Sequence, residues 1–103
     1  MNFSIGSSDC HISVSQIHTR DELVVELYIR EDKALYNMLY GHKDDVEQTA
    51  GFPLDWRELP EKKASRILVT KNAALPDQSK WTEQFDWIMD TMLKMKRAFK
   101  KYL

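Results

Sequence analysis

The sequence predicts a single domain of the α+β class, in which an antiparallel sheet of about five strands carries two helices on one face. Three observations predict it. Apolar and polar residues alternate in two consecutive segments near the N terminus. Short polar connections suited to hairpins separate the candidate strands, which argues against a purely parallel sheet. A long amphipathic segment with helical spacing closes the chain.

The first strands are predicted from residues that recur at every second position. Residues 10–17 and 22–30 both show this pattern, and the polar stretch 18–21 between them is typical of a hairpin loop. A short strand at residues 2–5, turned by residues 6–8, completes a three-strand meander. The alternating aliphatic residues are Ile12, Val14, Leu23, Val25, Leu27 and Ile29.

A helix and two further strands are expected next. Asp32 suits the N-cap of a helix that ends at Gly51, a residue that readily adopts the left-handed conformation of a helix stop. Residues 53–59 and 66–71 then indicate two strands joined by a charged connection, and hence a second hairpin. The helix positions that we expect to face the core of the protein are Leu35, Leu39, His42, Val46 and Ala50.

The last helix, predicted over residues 77–102, shows the clearest pattern. Seven apolar residues are spaced alternately four and three positions apart, which places them on one face. Pro76 and Asp77 suit its start. Acidic residues come first and basic residues last, in the order that complements the helix dipole. The apolar residues are Trp81, Phe85, Ile88, Met92, Met95, Phe99 and Tyr102, and the basic ones are Lys94, Lys96, Arg97, Lys100 and Lys101.

Composition narrows the class of protein. The chain has 103 residues, of which 43% are apolar and 30% charged, with a formal net charge of −1. This balance is typical of one folded domain, here residues 1–103, and any basic surface must come from local segregation of charge. Cys10 is the only cysteine, which excludes an internal disulfide framework and favours a cytoplasmic location. No signal sequence or membrane span is recognisable, so we expect no membrane partner.

Common catalytic motifs are not found in the sequence. No glycine elbow frames a serine, and three glycines in the whole chain form no phosphate loop. Cys10 and His11 are adjacent on a predicted strand and point to opposite faces, which argues against a shared metal ion. We therefore expect no catalytic residue, no metal and no cofactor.

One short motif keeps a nuclease hypothesis open. Glu61-Lys62-Lys63 has the spacing of the metal-dependent nuclease signature, with Asp55 upstream. That signature requires the glutamate and the lysine on a strand beside the aspartate, whereas Pro60 and the run of charges favour a loop. A nuclease that uses Asp55, Glu61 and Lys63 is therefore only the third hypothesis.

Basic residues supply the leading functional hypothesis. The segment 62–66 and the basic end of the last helix carry cations that suit phosphate groups. A charged hairpin loop and a dipole-complementing helix end also occur without any ligand. The candidate nucleic-acid-binding residues are Lys62, Lys63, Ser65, Arg66, Lys94, Arg97 and Lys101.

Trp87 is a candidate interface residue. Helical spacing points it about two-thirds of a turn away from the apolar stripe, so it either meets a second packing surface or is exposed. A domain that binds another protein or a second copy of itself is therefore the second hypothesis.

Several stretches together resemble a known family. Residues 2–6 (NFSIG), 25–29 (VELYI), 54–60 (LDWRELP) and 62–67 (KKASRI), with the closing pattern from Trp81 to Tyr102, are similar to a domain of unknown function. That domain is found at the C terminus of bacterial and archaeal proteins with an N-terminal restriction-endonuclease-like module. The resemblance implies that any nuclease chemistry belongs to that upstream module, and it supplies no catalytic residue for this chain. The first hypothesis is therefore a non-catalytic accessory domain that binds nucleic acid through its basic residues or positions the upstream module. A second copy of the chain is a partner under the second hypothesis. The resemblance also draws attention to the corner around Ser65 and Arg66.

Overall fold

The computed structural model describes residues 2–4, 10–17, 19–73 and 77–103, and the predicted α+β class is confirmed. The predicted turn at residues 6–8, His18 and Pro76 lie outside the described residues. Within them, a single 3₁₀ turn, Gln78–Lys80, precedes the last helix. The other elements are β1 (Asn2–Ser4), β2 (Cys10–Ile17), β3 (Glu22–Ile29), α1 (Lys33–Gly41), α2 (Lys43–Ala50), β4 (Asp55–Arg57), β5 (Ser65–Asn72) and α3 (Trp81–Lys100).

The described strands form one antiparallel sheet in the order β1-β2-β3-β5-β4. The side chains on one face, which we call the covered face, pack with side chains of all three helices in a single core. The alternate side chains point to the opposite side, which we call the open face. The covered-face residues of the core include Cys10, Ile12, Val25, Leu27, Ile29 and Ile67, and the helices contribute Tyr36, Leu39, Val46, Met95 and Phe99.

The predicted helix after Asp32 is two helices, so the prediction of two helices in total is wrong by one. Asp32 caps α1 as expected, since its Oδ1 accepts a hydrogen bond from the amide of Leu35 at 2.9 Å. Gly51 ends α2 with φ of 88°. The chain breaks between them because Gly41 is a poor helix former and two acidic residues favour a new helix start just beyond it. His42, at the break, is exposed and not in the core.

Helix α3 starts at Trp81, after the 3₁₀ turn, and only its C-terminal half is buried as predicted. Met92, Met95 and Phe99 are buried, because the sheet and α2 together cover that half. Trp81 and Phe85, at the same helical spacing, remain 53% and 58% exposed. The expectation that the stripe is core throughout is therefore wrong at its N-terminal end. No helix in the described residues has the length and apolar character needed to cross a bilayer.

Candidate functional site

Four side chains form a row across the open face. Tyr28 lies directly opposite His11 on one side and Arg66 on the other, and Arg66 lies opposite Arg57. Each of the adjacent strands β2, β3, β5 and β4 thus contributes one residue. Because directly opposed residues have Cβ atoms about 5 Å apart, the four side chains are consecutive neighbours. We call this set the cross-strand row.

The aromatic half of the row is a pair of rings in contact. The ring centroids of His11 and Tyr28 are 5.3 Å apart, and the two planes are inclined by 37°. Both side chains are half-buried, so part of each ring still faces solvent. Planar π surfaces of this kind stack with other flat aromatic systems such as nucleobases.

The basic half of the row consists of two arginines oriented by carboxylates. Nε of Arg66 binds the carboxylate of Glu26, a side chain that is only 9% exposed. Arg57 donates from Nε at 2.9 Å and from Nη2 at 2.7 Å to Asp55. A guanidinium has five N–H donors, so each arginine keeps donors for a further ligand while its carboxylate fixes its direction.

A cavity of about 200 Å³ lies beside the arginines on the same face. Val24 and Leu68 form part of its lining and are both 2% exposed, although neither belongs to the core cluster under the helices. Arg20, which is paired with Glu22 at 2.9 Å, adds a third guanidinium. The cavity is smaller than the roughly 300–1,000 Å³ of typical small-molecule sites. It suits one phosphate or the edge of one base better than a whole metabolite.

The loop between β4 and β5 is held by a lysine from α1. Nζ of Lys33 contacts the carbonyl oxygens of Glu58, Leu59 (3.1 Å) and Ala64 (2.8 Å), and the hydroxyl of Ser65 (3.0 Å). Contacts to both ends of one loop fix its shape. No sequence pattern had assigned a role to Lys33.

The same loop explains why β4 is shorter than the predicted strand at residues 53–59. Leu59 adopts φ of 55°, in the left-handed region that a residue with a branched side chain enters at a cost of about 1–3 kcal/mol. That conformation ends the extended backbone and starts a turn, closed by a hydrogen bond of 2.8 Å from the amide of Lys62 to the Leu59 carbonyl. The turn leaves Lys62 and Lys63 exposed beyond Arg57 and Arg66, the last paired residues of the two strands.

Ser65 does not belong to the candidate surface. Its side chain is fully buried, and its hydroxyl donates to the Glu58 carbonyl at 2.9 Å while it accepts from Lys33. The hydroxyl is therefore occupied inside the protein. Of the predicted corner, Lys62, Lys63 and Arg66 remain accessible.

The basic end of α3 is a separate place on the molecule. Lys33, at the start of α1, holds the loop that carries Lys62 and Lys63, whereas His42, after the end of α1, stacks on Tyr102 with ring centroids 4.4 Å apart. The loop and the end of α3 therefore lie near opposite ends of α1, whose nine residues span about 13 Å. The structure thus divides the predicted nucleic-acid-binding residues into two groups.

Carboxylates pair with two of the helix-end cations. Lys94 binds Asp90 at 2.9 Å, and Lys101 binds Asp45 at 2.6 Å. The hydrogen bond from Lys101 and a second one from the Tyr102 hydroxyl hold the pKa of Asp45 below its usual range. Arg97 is exposed and makes no ion pair with any described residue. This end of α3 therefore presents fewer unpaired cations than its sequence suggests.

Trp87 meets a second packing surface, one of the two outcomes that its position allowed. The ring is half-buried against the edge of the core, and Nζ of Lys71 lies 5.7 Å from its centroid. Trp87 thus borders the interior of the domain.

The arrangement that the nuclease signature requires is not formed. Glu61 and Lys63 lie in the turn after β4 and not on a strand, and the carboxylate of Asp55 is paired with Arg57. Among the described side chains, no three His, Cys, Asp or Glu residues come together as a metal site.

Three residues of the cross-strand row were missed from the sequence, namely His11, Tyr28 and Arg57. The alternation of residues along β2 and β3 already indicated on which face two of them lie. The pattern that places Ile12 and Leu27 toward the core also places His11 and Tyr28 on the opposite face. Only the pairing register, however, brings those two residues beside the arginines.

The comparison with protein families agrees with the resemblance. The model of the family described as "Domain of unknown function (DUF4268)" matches residues 1–103. A search of curated proteins and a search of solved structures each gave no match. The expected membership in a family of unknown function is confirmed, while the association with a restriction-endonuclease-like module stays a prediction. Since the match covers every residue, the chain belongs to the DUF4268 family.

Proposed function

We propose that this domain binds single-stranded nucleic acid on the open face of its sheet. The cross-strand row is the observation that carries the proposal. Bases stack on the ring pair of His11 and Tyr28, and neighbouring phosphates bind the guanidinium groups of Arg66 and Arg57. Stacking platforms joined to cations on a sheet surface are a general solution for unpaired strands, because every base has a π face.

The loop after β4 extends the proposed surface. Lys62 and Lys63 are exposed at the end of the same two strands that carry the arginines. A nucleic-acid strand that runs from the two rings across Arg66 and Arg57 therefore reaches two more cations. The contact by Lys33 holds this loop in place, which lowers the entropy lost when a phosphate binds.

The charge balance of the face predicts weak and salt-sensitive binding. Glu22, Glu26 and Asp55 offset much of the field of the three arginines, and the whole chain has a net charge of −1. Affinity should therefore depend on a small number of direct contacts. Each phosphate contact on a single strand contributes about 0.7 to the slope of log K against log salt concentration.

We further propose that the role is accessory and non-catalytic. The support for this is the resemblance, which implies an upstream module with any nuclease chemistry. A domain that binds an unpaired nucleic-acid strand could present the substrate to such a module. The two proposals are independent, because strand binding can be measured on this chain alone.

Fluorescence anisotropy with labelled oligothymidylate and oligouridylate tests the binding proposal. The double variant Arg57→Gln/Arg66→Gln should bind about tenfold more weakly and lose about 1.4 from the salt slope, the share of two contacts. The variant Lys96→Gln/Arg97→Gln removes two exposed cations from α3 and serves as the matched control. Equal losses in the two variants, or no measurable binding by the unmodified chain, would overturn the proposal.

A further inference from the structure

We propose that a second copy of this chain docks on α3 in an antiparallel, two-fold arrangement. The observation is a line of apolar side chains spaced four residues apart, Trp81, Phe85, Met89 and Leu93, which we call the α3 stripe. These side chains are 53%, 58%, 41% and 60% exposed. Residues four apart on a helix are neighbours, so the stripe is one continuous surface over three turns.

The stripe is additional to the face that α3 buries. Met92, Met95 and Phe99 already seal the core, and a helix that packs on one sheet needs only that single face. Phe85, Met89 and Leu93 start beside the buried face and turn away from it at about 40° per step of four residues. The apolar surface of α3 is therefore wider than its own fold requires.

Charge complementarity favours a second copy as the occupant. The first half of α3 carries Glu83, Asp86 and Asp90, of which only Asp86 makes no ion pair with a described residue. The end of α3 carries Lys96, Arg97 and Lys100, which make no ion pair with a described residue either. When two copies pair antiparallel, the acidic half of each helix lies beside the basic end of the other. The two helix dipoles then also run in opposite directions, which is the favourable arrangement. A parallel pair would place like charges together. The same surface of each copy thus supplies the apolar contact and both of the charges that pair across it, as a two-fold interface requires.

The size of the stripe agrees with this occupant. Its four side chains expose on the order of 500 Å² in total, at the upper end of what a monomer leaves uncovered. Two copies would bury about twice that area, and the charged flanks bring the sum to roughly the 1,200 Å² at which specific interfaces begin. Because α3 packs on the covered face of the sheet, this pairing leaves the cross-strand row accessible.

Sedimentation equilibrium tests the association. We expect a dimer at about 100 µM, a concentration that populates even a micromolar interface. Leu93→Glu and Phe85→Glu should each raise the dissociation constant at least tenfold. Met38→Glu, a change at an apolar α1 residue that is 36% exposed, should leave it unchanged and serves as the control. A monomer in the unmodified chain, or a dimer that both stripe variants preserve, contradicts the proposal.

Disulfide trapping determines the orientation without relying on a disruptive variant. Phe85→Cys and Leu93→Cys proteins are mixed and mildly oxidised, and the native Cys10 is buried, so the unmodified chain should not cross-link. The antiparallel arrangement predicts that the mixed 85–93 disulfide predominates. Predominant 85–85 and 93–93 disulfides would mean a parallel pair, and no cross-link at either position would mean that the stripe is not the interface.

Discussion

The covered and the open face of the sheet are built by alternate residues of the same strands, yet they differ in chemistry. On β3, Leu27 and Ile29 enter the core, while Tyr28 between them joins the cross-strand row. The covered face is mostly aliphatic, with Trp56 at its β4 edge, and is closed by helices. The open face carries rings and ion pairs, and its central strand is shielded by the Arg66–Glu26 pair. The difference teaches that core residues and residues of the proposed binding surface alternate along one strand, so that each kind can be substituted separately.

The largest effect is expected on the covered side. Phe99 is fully buried, and Phe99→Ala should lower the free energy of unfolding by about 3–5 kcal/mol, because it removes a large side chain and leaves a cavity. Urea denaturation measures this loss. The folded fraction should still bind oligothymidylate with unchanged affinity. A loss of affinity per folded molecule would show that the covered face and the open face are not independent.

Removal of the loop clamp should have an intermediate effect. Lys33→Met leaves the carbonyls of Leu59 and Ala64 without their donor, and we expect a loss of about 1–3 kcal/mol in stability. Hydrogen exchange provides the local readout, since the amide of Lys62 donates within this loop and should lose protection. Lys62→Met, at an exposed position, is the control and should leave stability nearly unchanged. Similar stability losses in the two variants would contradict the role of Lys33.

Substitution on the open face should affect binding before stability. Tyr28→Ala removes the central ring of the row and should cost about 1–3 kcal/mol of binding free energy for oligothymidylate, the usual share of one stacked base. Tyr28→Phe keeps the ring and should bind almost as well as the unmodified chain. If Tyr28→Phe loses as much affinity as Tyr28→Ala, the hydroxyl and not the stacking surface carries the contact.

The smallest effect concerns the ion pair where α2 meets the end of α3. The pKa of Asp45 is lowered in the folded chain by Lys101 and Tyr102, so the ionised carboxylate stabilises the fold above its usual pKa. That contribution disappears as the pH falls through the folded pKa. The Tm difference between the unmodified chain and Asp45→Asn should therefore be positive at neutral pH and should shrink as the pH falls below the ordinary carboxyl pKa of about 4. Glu31→Gln, at an exposed carboxylate that pairs with no described residue, is the control.

Local patterns in the sequence predict most of the fold but less of the candidate site. Alternation identified the core side of β2 and β3, and Asp32, Gly51 and the C-terminal half of α3 behave as their residue types predict. These features depend on neighbours within a few positions. The exposure of Phe85 depends instead on which element covers α3, and no local pattern encodes that.

The site was predicted only in part for the same reason. Arg66 and the exposed lysines of the loop were identified from their charge. Ser65 is buried because β5 pairs it with Ile29 on the covered face, and its hydroxyl is bound by Lys33, which is 32 residues away in the chain. The row itself depends on the register among four strands, a long-range property. Charge alone therefore could not separate the loop cations from those at the end of α3.

The most direct test of nucleic-acid binding on the open face is an NMR titration of isotopically labelled protein with a short oligothymidylate, monitored through the amide chemical shifts. We predict that the largest changes cluster at His11, Tyr28, Arg57 and Arg66, with smaller ones in the loop after β4. Changes concentrated between Lys94 and Lys101, or no changes at saturating oligonucleotide, would contradict binding on the open face.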